Sequence, residues 1–326
     1  PNGKGVAYGL FLLDSTSQSY LMKNSAQLRD PLLRGVAWLD LWDGMLEGQR
    51  SMAPVALFRA GLKALPREKN ELVAQRMLND LTTVFWRYLT PETREQFAAQ
   101  LEQTLWRLME QTPVSSLKAS YFNTYRRVAL SPQGVEKLFG VWQQRIRIPG
   151  LELAERDYMS MALELAVRGI AGADQLLQTQ LGQISNPDRK ARFEFVMPAV
   201  SADSVTRHQF FEGLKKAENR EHEPWVLEGL RYLHHPLRAN SAVQYILPGL
   251  ELLQEIQTTG DIFFPKRWLD ATLGGHQSPQ AAEVVQYFLQ THPQYPPRLK
   301  AKILQSADGL FRAARLVFGW QGGTSI

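Results

Sequence analysis

Apolar residues recur along most of the chain at the three-and-four spacing of a helix face. Leu78, Leu81, Phe85 and Tyr88 form one such stripe, with Asn79, Asp80 and Arg87 between them. Phe97, Leu101, Leu105 and Leu108 form the next. Ala281, Val285, Phe288 and Leu289 repeat the pattern, as do Leu299, Ile303, Leu310 and Ala314. This spacing puts the apolar side chains of each segment on one face of a helix. Helix starts are marked four times by a capping residue followed by proline: Thr90-Pro91, Ser131-Pro132, Asn186-Pro187 and Ser278-Pro279. The cap side chain accepts a free N–H, and proline lacks the N–H that the first turn would leave orphaned. Glu92 and Asp188 then suit the positive end of the helix dipole. The pattern predicts roughly a dozen helices of about 12–20 residues joined by short Pro/Gly loops.

The first twenty residues differ. Val6 to Leu13 is a short apolar run between Gly5 and the polar Asp14-Ser15-Thr16-Ser17. It reads as a strand followed by a turn, and alternation of that kind is hard to find after residue 25. A lone strand needs partners, so the expectation is the remnant of a preceding β-domain. The opening Pro1-Asn2-Gly3, with no initiator methionine, agrees with a piece of a longer polypeptide. The resulting division is a strand and turn over 1–25, an α-helical domain over 26–318 and a flexible tail over 319–326. Helix pairs with short loops predict an all-α, HEAT-like superhelical array of antiparallel hairpins. TPR and ankyrin signatures are absent.

Composition narrows the chemistry. There is no cysteine in the 326 residues, which excludes disulfides, thiolate-bound zinc and thiol catalysis in this chain. The net charge of +5 is spread in ones and twos rather than in a stripe, which argues against nucleic acid as a partner. No apolar run reaches the roughly 20 residues of a membrane helix.

Motifs for catalysis fail on inspection. His222-Glu223-Pro224-Trp225-Val226 begins like a zinc helix, but the fifth position is Val226 and Pro224 suits a helix start. His234 and His235 are adjacent at a predicted helix end, where they read as surface or capping imidazoles. The remaining histidines are His208, His276 and His292. No Gly-x-Ser-x-Gly, P-loop or Gly-x-Gly-x-x-Gly occurs, and Gly322-Gly323 follows no strand. Glu152/Glu155 and Glu221/Glu223 read as solvated carboxylates.

One segment is unusual. Asp261-Ile262-Phe263-Phe264-Pro265-Lys266-Arg267-Trp268-Leu269 packs three aromatics around a Lys-Arg pair. One reading buries Phe263, Phe264 and Trp268 and leaves the cations in water. The other makes Lys266, Arg267 and Trp268 a cationic, aromatic-lined anchor for the carboxylate of a peptide substrate.

Three stretches resemble the C-terminal part of the zinc aminopeptidase N family, membrane alanyl aminopeptidase-like gluzincins. They are Gly5 to Phe11; Asp30-Pro31-Leu32-Leu33-Arg34 through Trp38-Leu39-Asp40-Leu41-Trp42-Asp43; and the Phe-Phe-Pro-Lys-Arg-Trp run with Pro297 to Gln305. The resemblance implies a helical domain that closes over an active site located upstream. It would wall the substrate chamber and limit peptide access, with the catalytic and β-domains of the same polypeptide as partners. It also implies zinc in that parent enzyme. The family's zinc helix and its Gly-x-Met-Glu-Asn segment do not occur in these residues, so no catalytic residue carries over. The alternative is a free-standing helical-repeat scaffold that binds a protein or peptide.

Overall fold

A computed structural model describes residues 9–49 and 52–322, and every described element is helical. The chain divides into two compact units, Pro1–Glu152 and Leu153–Ile326.

The first unit runs α1 (Ser15–Asn24), α2 (Pro31–Leu46), α3 (Pro54–Ala64), α4 (Glu71–Thr83), α5 (Pro91–Gln111), α6 (Ser115–Val128) and α7 (Pro132–Trp142). Its core gathers Leu41, Met45, Leu57, Phe58, Phe85, Leu105 and Phe122, all at 1% exposure or less. The stripe from Leu78 to Tyr88 is buried, but its second half is a π-helical turn, Val84–Tyr88, after α4. Side-chain spacing at this length does not distinguish a π turn from α-helix. α5 and α6 pack as a hairpin across a three-residue link.

The predicted strand is not seen in the described part of its range. Residues 6–8 lie outside the described residues, and 9–13 form no strand. The predicted turn at 14–17 is instead a helix start. Asp14 accepts the N–H groups of Thr16 and Ser17, both at 2.9 Å, and nucleates α1. Only Gln18 and Leu21 of α1 are buried, so the segment lacked the apolar stripe that marks the other helices.

The second unit runs α8 (Glu155–Val167), α9 (Ala173–Gln183), α10 (Pro187–Val200), α11 (Ser204–Gly213) and α12 (Glu223–Leu233). Three short helices follow: α13 (Ala239–Ala242), α14 (Ile246–Glu251) and α15 (Leu253–Thr259). It closes with α16 (Phe264–Leu273), α17 (Pro279–Thr291) and α18 (Pro297–Phe318). The helices outnumber the predicted dozen, in part because the 234–263 stretch is divided into the short helices α13, α14 and α15. Val226, Leu230, Leu250, Trp268, Leu269, Phe288, Ile303 and Leu310 form one apolar cluster. α18 ends at Gly319, whose φ of +68° favours glycine. Trp320 beyond it stacks on Phe311 at 5.6 Å. Of the predicted tail, residues 323–326 lie outside the described residues. No described helix is long and apolar enough to cross a membrane.

Candidate functional site

The Phe-Phe-Pro-Lys-Arg-Trp segment is the first turn of α16. Pro265 sits where a missing N–H costs nothing. Asp261 Oδ1 accepts the Phe263 N–H at 2.8 Å, and Glu223 Oε1 accepts the Asp261 N–H at 2.6 Å. Two carboxylates therefore tie down the chain that enters this helix.

The helical register then sorts the side chains. Phe264 and Trp268, four apart, point into the core at 1% and 0% exposure, with rings 6.1 Å apart edge to face. Trp268 Nε1 donates to the Gly249 carbonyl at 3.0 Å. Phe263 and Arg267, also four apart, share the outer face. Phe263 is 61% exposed, and the Arg267 guanidinium lies 5.6 Å from its ring centroid. Lys266 Nζ pairs with Asp270 at 2.5 Å.

The three predicted site residues therefore part company. Trp268 is a core residue with its one donor satisfied. Lys266 is half-buried beside its own counter-ion. Arg267 is exposed and has no carboxylate partner among the described residues. The side chain that joins it is Phe263, which one of the two sequence readings buries. Counting the register from Pro265 as a first-turn residue separates 263/267 from 264/268, and that signal was present in the sequence. An exposed guanidinium backed by an aromatic face can take a carboxylate by two parallel hydrogen bonds.

The other candidates resolve structurally. His222 stacks on Trp225 at 4.1 Å, and Glu223 is committed to Asp261. Glu155 accepts the Ser185 N–H and hydroxyl and pairs with Arg189 at 3.0 Å. These bonds, the Ser185 N–H foremost, hold its carboxyl down at about 2. Ser131 and Glu102 line a cavity of about 200 Å³ with Trp106 and Lys137. That hydroxyl donates to Glu102 and accepts the Gly134 N–H, and Glu102 also accepts the Leu130 and Ser131 N–H groups. The pair is the cap of α7, engaged on every side. His235 caps the next turn, its Nδ1 accepting the Leu237 N–H at 3.2 Å. His234 departs from the surface reading: it is fully buried against His276, 42 residues away. No periodic pattern links positions so far apart.

Among the described residues no three His, Asp or Glu side chains come together as a metal-binding group. The zinc implied for the parent enzyme finds no ligand set in them, and no metal-assisted step is derived from this chain. The Asp30–Asp43 stretch forms the cap and most of α2. Its Arg34 makes a two-pronged pair with Glu68, at 2.7 and 2.8 Å, and its Trp38 donates to Asp80 at 2.8 Å. Both are packing roles. No protein-family model matches the chain, and none of the curated proteins compared with it matches.

Proposed function

We propose that the chain is the non-catalytic, C-terminal helical domain of a zinc metallo-aminopeptidase. It forms a wall of the substrate chamber and limits peptide access to an active site upstream. The proposal includes a HEAT-like stacking of its helix hairpins and a strand at 6–13 that joins a sheet of the preceding β-domain.

The observation that carries the reading is where apolar side chains are left uncovered. Leu10, Leu12, Tyr20, Leu32 and Leu39 are each between 37% and 58% exposed, and all lie in α1, α2 or the residues just before α1. Leu10 and Leu12 are two apart, as on one face of a strand, and Leu32 and Leu39 are seven apart, on one face of α2. Scattered apolar exposure is ordinary, and Leu72, Val114, Val205, Ile262, Phe263, Tyr287 and Phe318 are exposed elsewhere, but five such side chains between residues 10 and 39 suit a surface covered by another domain. The resemblance of the 5–11, 30–43 and 263–268 segments supplies the identity of that neighbour.

The peptide contact in this reading is Arg267 on Phe263, with Lys266 beside it. The test is hydrolysis by the 326-residue chain alone. The reading predicts no turnover of aminoacyl reporters with or without added zinc. Zinc-dependent turnover by this chain would contradict it.

A further inference from the structure

The second unit holds two imidazoles that no other part of the account uses. His234 ends α12, and His276 lies in the link between α16 and α17. Both are 0% exposed. His234 Nδ1 and His276 Nε2 are 2.8 Å apart. The outer nitrogens, His234 Nε2 and His276 Nδ1, are buried and have no hydrogen-bond partner in the protein.

Their place in the fold gives the contact a mechanical meaning. α12 is tied to α16 at both ends. At the N-terminal ends, Glu223 accepts the Asp261 N–H. At the C-terminal ends, the imidazole pair joins α12 to the chain leaving α16. There the link lies directly on the α12 backbone: a Cβ on Gly275 would fall 1.7 Å from the His234 carbonyl oxygen. The His276 N–H returns to Leu273 at 3.1 Å, which closes the turn. Opening the pair therefore frees the end of α16 and its link to α17.

A neutral pair can make its contact with one N–H between the rings, one imidazole donating and the other accepting. An added proton places charge where nothing answers it, and once both rings are protonated no acceptor is left between them. From the elements packed nearby, Tyr245 stands edge-on to His234 at 6.3 Å. His208 stacks behind Tyr245 at 6.0 Å. Arg207 and Arg238 are committed to the carbonyls of Val200, Ser201 and Ala202. Among the described residues no carboxylate acts on either ring; burial acts on both, and His276 on His234.

We propose that His234 and His276 form a proton-released latch: neutral, they hold the α16–α17 link on the end of α12, and protonated, they let that joint open. Burial pushes His234 well below the usual imidazole range and His276 down to about 4. An opened imidazole returns to about 6.5, so protons favour the open joint progressively as pH falls from about 6.5 towards 4.

The test is amide hydrogen exchange on the whole chain at pH 7.5 and 5.0, corrected for the intrinsic pH dependence of exchange. A His234→Gln, His276→Gln double variant, which keeps a neutral polar pair, is run alongside. The latch predicts that protection over 230–238 and 270–280 falls at least about tenfold more than in the first unit, since each proton bound on opening is worth up to tenfold per pH unit. In the double variant this selective loss disappears. Unchanged protection at pH 5.0, or the same selective loss in the double variant, overturns the proposal. If the double variant does not fold, the imidazole ¹⁵N shifts of the unmodified chain decide. Two rings neutral at pH 6 that protonate together with the local loss of protection support the latch. Rings that titrate near 6.5 with protection unchanged overturn it.

Discussion

Arg94 lies with its guanidinium 4.9 Å from the centroid of the Trp86 ring and donates to the Trp86 carbonyl at 3.0 Å. The same side chain reaches the Phe85 carbonyl at 2.9 Å and the Leu89 carbonyl at 3.3 Å. The π-helical turn at 84–88 leaves carbonyls that no following helical N–H can take, and one buried arginine from α5 gathers two of them together with that of Leu89 just beyond the turn. Burial lowers its pKa to about 10, so it stays charged at neutral pH. Arg94→Met is expected to destabilise the first unit by about 3 kcal/mol or more, because the carbonyls lose their donors inside the core. Arg94→Lys is expected to restore less than half, since a point charge cannot serve three acceptors. Urea unfolding checks both, and a loss below about 1 kcal/mol for the methionine variant contradicts this role.

Glu155 gives a pH dependence of definite sign. Its carboxyl is held at about 2, against an ordinary 4.5, by the Ser185 N–H and hydroxyl and by Arg189. A depressed carboxylate stabilises the folded state above its ordinary value, and that contribution is lost as pH falls towards 2. Glu155→Gln is expected to lower the unfolding midpoint at pH 7 and to leave it unchanged near pH 2. An equal shift at both values would mean that the charge is not what matters.

Gly275→Ala probes the joint at the end of α12. The added Cβ meets backbone, the His234 carbonyl, which cannot swing aside like a flexible side chain. The expected cost is about 3 kcal/mol or more in the second unit, by overpacking. Thermal unfolding followed with probes in each unit locates the effect, and an unchanged second unit would refute the close approach.

The helical framework was legible because its signals are local. Thr90, Ser131, Asn186 and Ser278 each accept an N–H from the first turn of the helix they precede, as their Pro-flanked positions indicated. The Phe97–Leu108 and Leu299–Ala314 stripes are buried. α1 was missed because its helix comes from the Asp14 cap rather than from an apolar face. In the candidate site, spacing alone leaves both readings of the segment open, and the register of α16 separates the exposed Phe263 and Arg267 from the buried Phe264 and Trp268. The His234–His276 contact depends on tertiary approach, and the Arg94 cluster on the π-helical turn, neither of which composition and spacing encode.

Lys266, Arg267 and Trp268 separate by experiment in a polypeptide that includes the proposed upstream zinc domain. Arg267→Ala, alone or with Lys266→Ala, is expected to raise KM several-fold for peptides and to leave single aminoacyl reporters unchanged. Lys266→Ala alone should do little, because the half-exposed Asp270 already holds that charge. Trp268→Ala should instead cost stability, about 3–5 kcal/mol, with no selective effect on peptides. Equal effects of Arg267→Ala on both substrate types, or none, would remove the anchor.

The most direct test of the central claim is the intact mass of the native polypeptide, captured from its source with an antibody to this chain. The account predicts a mass far above that of 326 residues, with a His-Glu-x-x-His segment upstream and zinc-dependent aminopeptidase activity in the same molecule. A native mass matching these 326 residues would contradict it and leave the helical scaffold as the reading to pursue.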